Sequence, residues 1–585
     1  MTRPMNGMAL LAGAFLCAAS AATAQTATQA PRDEAITRAM RDELARSMQQ
    51  LRLDTLPKPY FIAYRVTESD GQGATGRLGS LVATNEGRGS RFLQVEVRVG
   101  DYAFDNTNYF GAGFMPSAFV GFGGLPLDDD YQEMRRQLWL ATDHAYKQAL
   151  EALSQKRAAL ETRSRSDELP DFSHEAVTNT SDDVPLPAAP PNRQTMETLV
   201  RDLSATFRAA PEIYSSSVSV SASWSRIIYL NSEGTYYTRT RPRASVTAQA
   251  STQAIDGTNF SMTYSAPATS FAELPTRDSL LAAVRDLAAR VTAQRHIPVA
   301  DAYDGPVLFE GAAAAELFNS VIASKLVGVR RPVASAAFGP MLGGAGNDWE
   351  DLVGSRVLPL WMSVVDDPTI KTMDGHPVDN YRVDDDGVTT RATTIIDHGI
   401  LKALLTTRTP VAGVDHSTGN KFGGGARPVH VTVTADSALS DEDLRHKLLT
   451  LAAAEGRTYG IVVRLLAGGS GADGDPLAMM GQGRGAPAVR GMRVFKVYAD
   501  GHEEPMRAAE ITGVTPASFK EIAAASKTRT VHSLGFVSSG SFMAGNAGSG
   551  AVTYFVPSLL FTNLSIRKPR GSTPRLPFVP PPPPQ

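Results

Sequence analysis

Residues 309–328 read FEGAAAAELFNSVIASKLVG. Alanine and leucine are strong helix formers and the run contains no proline, so the stretch predicts a helix behind a short strand. It is alanine-rich and amphipathic, like a helix built to hold something up to a pocket. The face shaped to hold something toward a pocket carries only Asn319, Ser320 and Ser324. None is a good ligand for a transition metal, and no histidine lies nearby in sequence to activate a hydroxyl. Taken locally, they read as a small-residue face packed on a sheet.

Patterning on either side gives the rest of the fold. Ile36, Met40, Leu44, Met48 and Leu51 recur at helical spacing, and a second helix is expected over 130–153. Strands are expected over 59–66 and 91–100, with a long Gly- and aromatic-rich loop over 101–128 and a surface excursion over 167–192. Beyond a third helix (Met196, Leu199, Val200, Leu203, Phe207), strict alternation over 216–251 breaks only at Asn231-Ser232-Glu233-Gly234, which predicts a long antiparallel hairpin. A fourth helix is expected over 276–294. After the opening stretch the chain turns mostly β, with turns at Asp386-Gly387 and His398-Gly399, a helix capped at Ser440, and a short capped helix over 515–526. The fold class is therefore α+β: an N-terminal α/β half with a long hairpin, and a C-terminal, mostly antiparallel, barrel-like β half with a few helices. The expected division is 1–24, 25–295, 296–568 and a Pro-rich tail over 569–585.

Bulk properties narrow the function. A chain of 585 residues with a formal charge of −3 has no strong field to attract nucleic acid. Arg3, the apolar run Met8–Ala19 and the small residues Ala22-Thr23-Ala24 predict a signal peptide cleaved after Ala24, hence a periplasmic or secreted protein. Cleavage removes Arg3 and Cys17, leaving a charge of −4 and no thiol for a disulfide, a thiolate ligand or a nucleophile. No later run is long and apolar enough to predict a membrane span.

The order of the opening stretch, then DDDGVTTRATTIIDHGILKALLTTRTP, STGNKFGGGARPVHVTV and GMRVFKVYADGHEEPMRAAEITGVTPASFKEI, resembles the C-terminal domain of the TldD/PmbA family of metallopeptidases and partner subunits. NSEG at 231–234 matches a recurrent turn of that family's N-terminal domain, so the resemblance covers about 33–567. It implies a helix bearing His-Glu-x-x-x-His, in which two histidines bind zinc and the glutamate activates water, with a cysteine as third protein ligand. The motif falls on Asn319, Ser320 and Ser324, so the ligands and the base are absent. The resemblance then implies no zinc cofactor and a degenerate, PmbA-like subunit. Such a subunit would dimerise, with a TldD-like catalytic paralogue or with itself, around a cavity for unfolded peptides. Ser417, Gly419 and Asn420 of STGNKFGGG could donate main-chain hydrogen bonds to a peptide, or form a plain turn.

Two other readings stay open: an active metallopeptidase whose ligands come from elsewhere, for example His416 and His430, and a stand-alone peptide-binding scaffold. The stretch 374–387 is acidic but lacks calcium-loop spacing and reads as a solvated hairpin turn. The Gly-rich run 468–487, with Met479 and Met480, reads as a flap over apolar peptide side chains.

Overall fold

A computed structural model describes residues 34–87, 89–110, 119–161, 168–254, 256–334, 346–466, 489–507, 509–537 and 549–568. The expected signal segment, the Met-containing flap and the Pro-rich tail lie outside these residues.

The hairpin organises the first sheet. Ser215–Asn231 and Tyr236–Gln253 pair antiparallel from Ser215↔Ser251 to Leu230↔Tyr236. The turn closes because Asn231 Oδ1 accepts the amides of Glu233 and Thr235 while Gly234 takes a φ of 103°. Pro59–Arg77 runs beside Ser215–Asn231, and Ser90–Val99 pairs on its other side. The first of these extends well past residue 66, where three glycines interrupt the apolar pattern. At Gly71 a Cβ would lie 2.6 Å from that of Ser223, so glycine permits the close strand approach there.

One face of this sheet buries two sets of helices. Helix α1 (34–50) and α2 (Tyr131–Glu161) cover Ile62, Tyr64, Val95, Val97, Ile228 and Leu230. Helix α3 (Arg193–Ala205) and α4 (Arg277–Ala293) cover Val218, Val220, Val246 and Ala248. Asn192 caps α3 and Thr276 caps α4 through side-chain oxygens. Two expectations change here. The predicted loop over 101–128 contains the strand Phe119–Gly124, paired with Ser90–Val99, and the 167–192 excursion adds Asn179–Ser181 parallel to Tyr236–Thr238.

The second sheet closes on itself. Tyr303–Phe309, Tyr459–Leu466, Val489–Tyr498, Ala509–Thr512 and Ser549–Arg567 pair in that order, and the last returns to Tyr303–Phe309, making a closed β-barrel. Helix α5 (Ala312–Val321) lies on the face carrying Val307, Phe309, Ile461, Val463 and Phe561; α6 (Asp441–Ala454) covers the opposite face with Leu308, Val462 and Leu560. Ser440 caps α6 as expected, accepting the Asp443 amide. The helix expected over 515–526 is instead a 3-10 turn, Pro516–Glu521, followed by the strand Ile522–Val537. Phe519 anchors the turn in the core, and pairing with Ser549–Arg567 overrides the helical preference of the alanines.

The halves meet through buried charge. Asp384, Asp385 and Asp386, expected in a solvated turn, are at most 6% exposed. Arg65 and Arg239 of the first sheet reach the Asp385 carboxylate at 3.3 and 2.7 Å, and Lys421 pairs with Asp386 at 2.6 Å. Burial alone would raise the Asp385 pKa, but the two guanidiniums hold it well below the usual range. Asp384 is pushed up to about 7 by burial and by Asp386. Beside this cluster Arg408 forks onto Glu233 of the hairpin turn at 2.6 and 2.7 Å and stacks 3.8 Å from the Phe172 ring.

Removing one partner of such a pair leaves the other charge buried and uncompensated. Glu233→Gln is therefore expected to lower unfolding stability by about 3 kcal/mol, and combining it with Arg408→Met to lose less than the sum of the single changes. A double-mutant cycle in denaturant measures this; additive effects would show that the pair does not couple.

Candidate functional site

Helix α5 can start abruptly because Gly311 adopts a φ of 59°, turning the chain out of the Tyr303–Phe309 strand. From Ala313 to Asn319 every residue is buried. Phe318 packs edge-on against Phe519 and Tyr554. The helix ends at Val321, and Ala323–Leu326 continues as a 3-10 turn.

That geometry separates the three motif positions. Asn319 is buried, and its carboxamide is used on both sides: Nδ2 donates to the Gly535 carbonyl at 3.2 Å and Oδ1 accepts from the Tyr554 hydroxyl at 2.6 Å. Ser320 is exposed and donates to the Leu317 carbonyl of its own helix at 3.0 Å. Ser324 is half-buried in the 3-10 turn, beyond the helix end. Zinc sites are built from thiolate, imidazole and carboxylate donors. One engaged carboxamide and two hydroxyls do not fit that ion.

The STGN loop sits deeper than its sequence suggests. Ser417, Thr418 and Asn420 are buried, and Gly419 has a φ of 78°. Its main-chain donors meet internal acceptors: Ser417 N–H reaches Glu175, Thr418 N–H reaches Thr406 Oγ1, and Gly419 N–H reaches Ser417 Oγ. Asn420 Nδ2 donates to Asp366 Oδ2 at 2.7 Å. Asp366 also accepts the amides of Val429 and His430, and burial pushes its carboxyl up to about 6.

The histidines divide likewise. His416 is exposed beside Asp415, whereas His430 is buried with Nε2 on the Asp379 carbonyl. Among the described residues, no three His, Asp or Glu side chains gather as a metal-holding group. Sequence reasoning missed Glu316 and His532. Glu316 precedes Ser320 by one helical turn, yet a lone glutamate in an alanine-rich run reads as solvated, and His532 lies more than 200 residues away in sequence.

The contrast between Asn319 and Ser320 is measurable. Asn319→Ala strands a buried tyrosine hydroxyl and is expected to cost about 2 kcal/mol, part of it recovered by adding Tyr554→Phe. Ser320→Ala, at an exposed position, should stay within about 0.5 kcal/mol of the parent. Equal effects in thermal or denaturant unfolding would contradict this placement.

Comparison with known proteins agrees with this architecture. The family models described as PmbA/TldA metallopeptidase central domain and C-terminal domain match residues 185–295 and 303–568, together more than half of the chain. No curated protein sequence matches significantly. Among solved structures, TldE from Thermococcus kodakarensis has 15% identity and a TM-score of 0.54, covering 90% of this chain and 99% of that one. Two proteins described as modulators of DNA gyrase also share the fold. The one from Thermotoga maritima has 13% identity and a TM-score of 0.53, over 87% of this chain and 96% of that one. The one from Bacteroides thetaiotaomicron has 11% identity and a TM-score of 0.54, over 92% and 98%. With both domain models in sequence order and the barrel and hairpin in place, the chain belongs to the PmbA/TldD family.

Proposed function

We propose that this chain is an exported, catalytically silent family member that pairs with a paralogue bearing an intact His-Glu-x-x-x-His helix and helps enclose the chamber in which that subunit cleaves unfolded peptides. The observation that carries this reading is the Asn319 carboxamide. Where the family resemblance puts a metal ligand, this side chain ties α5 to Tyr554 and Gly535. Water activation needs a cation with an open position and a nearby base; Ser320 and Ser324 supply neither a base nor a strong ligand. The fold shared with TldE supports the subunit assignment.

Export rests on Arg3, the apolar run Met8–Ala19 and Ala22-Thr23-Ala24. Among the described residues, no helix is long and apolar enough to cross a membrane. Peptide handling rests on the first sheet. Among the described residues, Asn259–Ala268 pairs with Tyr236–Gln253 alone, leaving a sheet edge at which an extended chain can add by main-chain hydrogen bonds.

Co-expression with an exported paralogue carrying the intact motif tests the proposal. The two chains are expected to co-purify, and chelator-sensitive cleavage of unfolded peptides should rise when this chain is present and vanish when the paralogue's motif glutamate is replaced. Chelator-sensitive cleavage by this chain alone would overturn the assignment. A homodimer indifferent to the paralogue would point to a stand-alone scaffold.

A further inference from the structure

Glu316 is 7% exposed on α5, one turn before Ser320. Its Oε2 accepts the Leu466 amide at 2.7 Å, where the Tyr459–Leu466 strand ends, and its Oε1 lies 3.8 Å from His532 Nε2 on the Ile522–Val537 strand. Three elements therefore meet at one carboxyl. The other charged groups of the elements around α5 are turned to other partners. Arg464 pairs with Glu310 and Glu503, Lys325 with Asp348, and Arg567 with Asp304. Arg529 lies over the Phe555 ring, Lys527 is exposed, and Tyr554 donates to Asn319. Among the described residues, His532 is the one charged or titratable group within ion-pairing distance of Glu316.

We propose that Glu316 and His532, facing each other across the 3.8 Å contact at the point where α5 meets the Leu466 strand end and the His532 strand, set by their protonation how firmly these three elements hold together, making that corner of the barrel responsive to pH. Burial pushes the Glu316 carboxyl up to about 7, and burial lowers the His532 imidazole. In the folded chain Glu316 keeps a proton at a pH where the unfolded chain has lost it. This stabilisation is present in acid and lost as pH rises through about 7. His532 acts oppositely: the folded chain resists a proton that the unfolded chain accepts below 6.5, so stability falls as pH drops further. The corner is tightest in the mildly acidic window between, where the pair holds one proton and no net charge.

Hydrogen exchange of the full chain, followed by mass spectrometry and corrected for the intrinsic rate at each pH, tests this. Segments 459–466 and 522–537 are expected to be a few-fold more protected near pH 6 than near pH 8, His532 offsetting part of the roughly tenfold effect that Glu316 alone would give. Glu316→Gln keeps an acceptor for Leu466 and should remove the loss as pH rises from 6 through about 7; His532→Gln should remove the decline in acid. Parallel pH profiles in all three proteins would overturn the proposal. If Glu316→Gln fails to fold, the NMR titration of His532 in the unaltered protein decides: two steps are expected if the imidazole senses the ionisation of Glu316, and a single step near 6.5 contradicts the proposal.

Discussion

Asp385 receives two guanidiniums, Arg65 and Arg239, from separate strands of the first sheet, and the Gly423 amide from the loop behind it. Buried charge of this kind is tolerable only when complete, because an ion without its partner loses its hydration and gains nothing in return. The constraint is therefore geometric: the hairpin and the 384–387 turn must meet in one register. Arg241 reinforces it by reaching Asp182 and the Asn380 carbonyl, and Arg408 by forking onto Glu233. The NSEG turn thus serves two ends, closing the hairpin and receiving a cation from the second half.

Given that register, the barrel fixes α5. Its inner face leaves the helix little freedom, since seven consecutive residues are buried. Any polar group there must find a partner inside the protein. Asn319 finds Tyr554 and Gly535, and Glu316 finds Leu466 and His532. Ser320 faces outward and, among the described residues, its hydroxyl is bound to its own helix alone. A face that in a metallopeptidase would converge on a cation is here divided among internal contacts.

Much of this was legible in the sequence, and the failures share a cause. The hairpin, the four long helices of the first half and the capped α6 follow from periodicity and caps, which are local signals. The start of the Ile522–Val537 strand reads as helix because alanine favours helix locally, while its pairing partners, Leu559, Leu560 and Phe561, lie far on in sequence. The acidic turn reads as solvated because its cations, Arg65 and Arg239, lie far upstream. The Pro59–Arg77 strand looked shorter because glycine breaks a pattern without revealing the neighbour it makes room for. At the site, the loss of ligand types was visible residue by residue. The burial of the STGN loop and the Glu316–His532 contact depend on long-range pairing and were not.

Under the proposed function α5 holds no metal, because its donors are of the wrong kind for zinc and the Asn319 carboxamide is engaged by Tyr554 and Gly535. Metal analysis of the purified full chain after loading with zinc and desalting tests this most directly. Zinc far below one ion per chain, unchanged by Asn319→Ala, is the predicted result. One tightly held ion per chain that is lost on substituting Asn319 and Ser324 would contradict it.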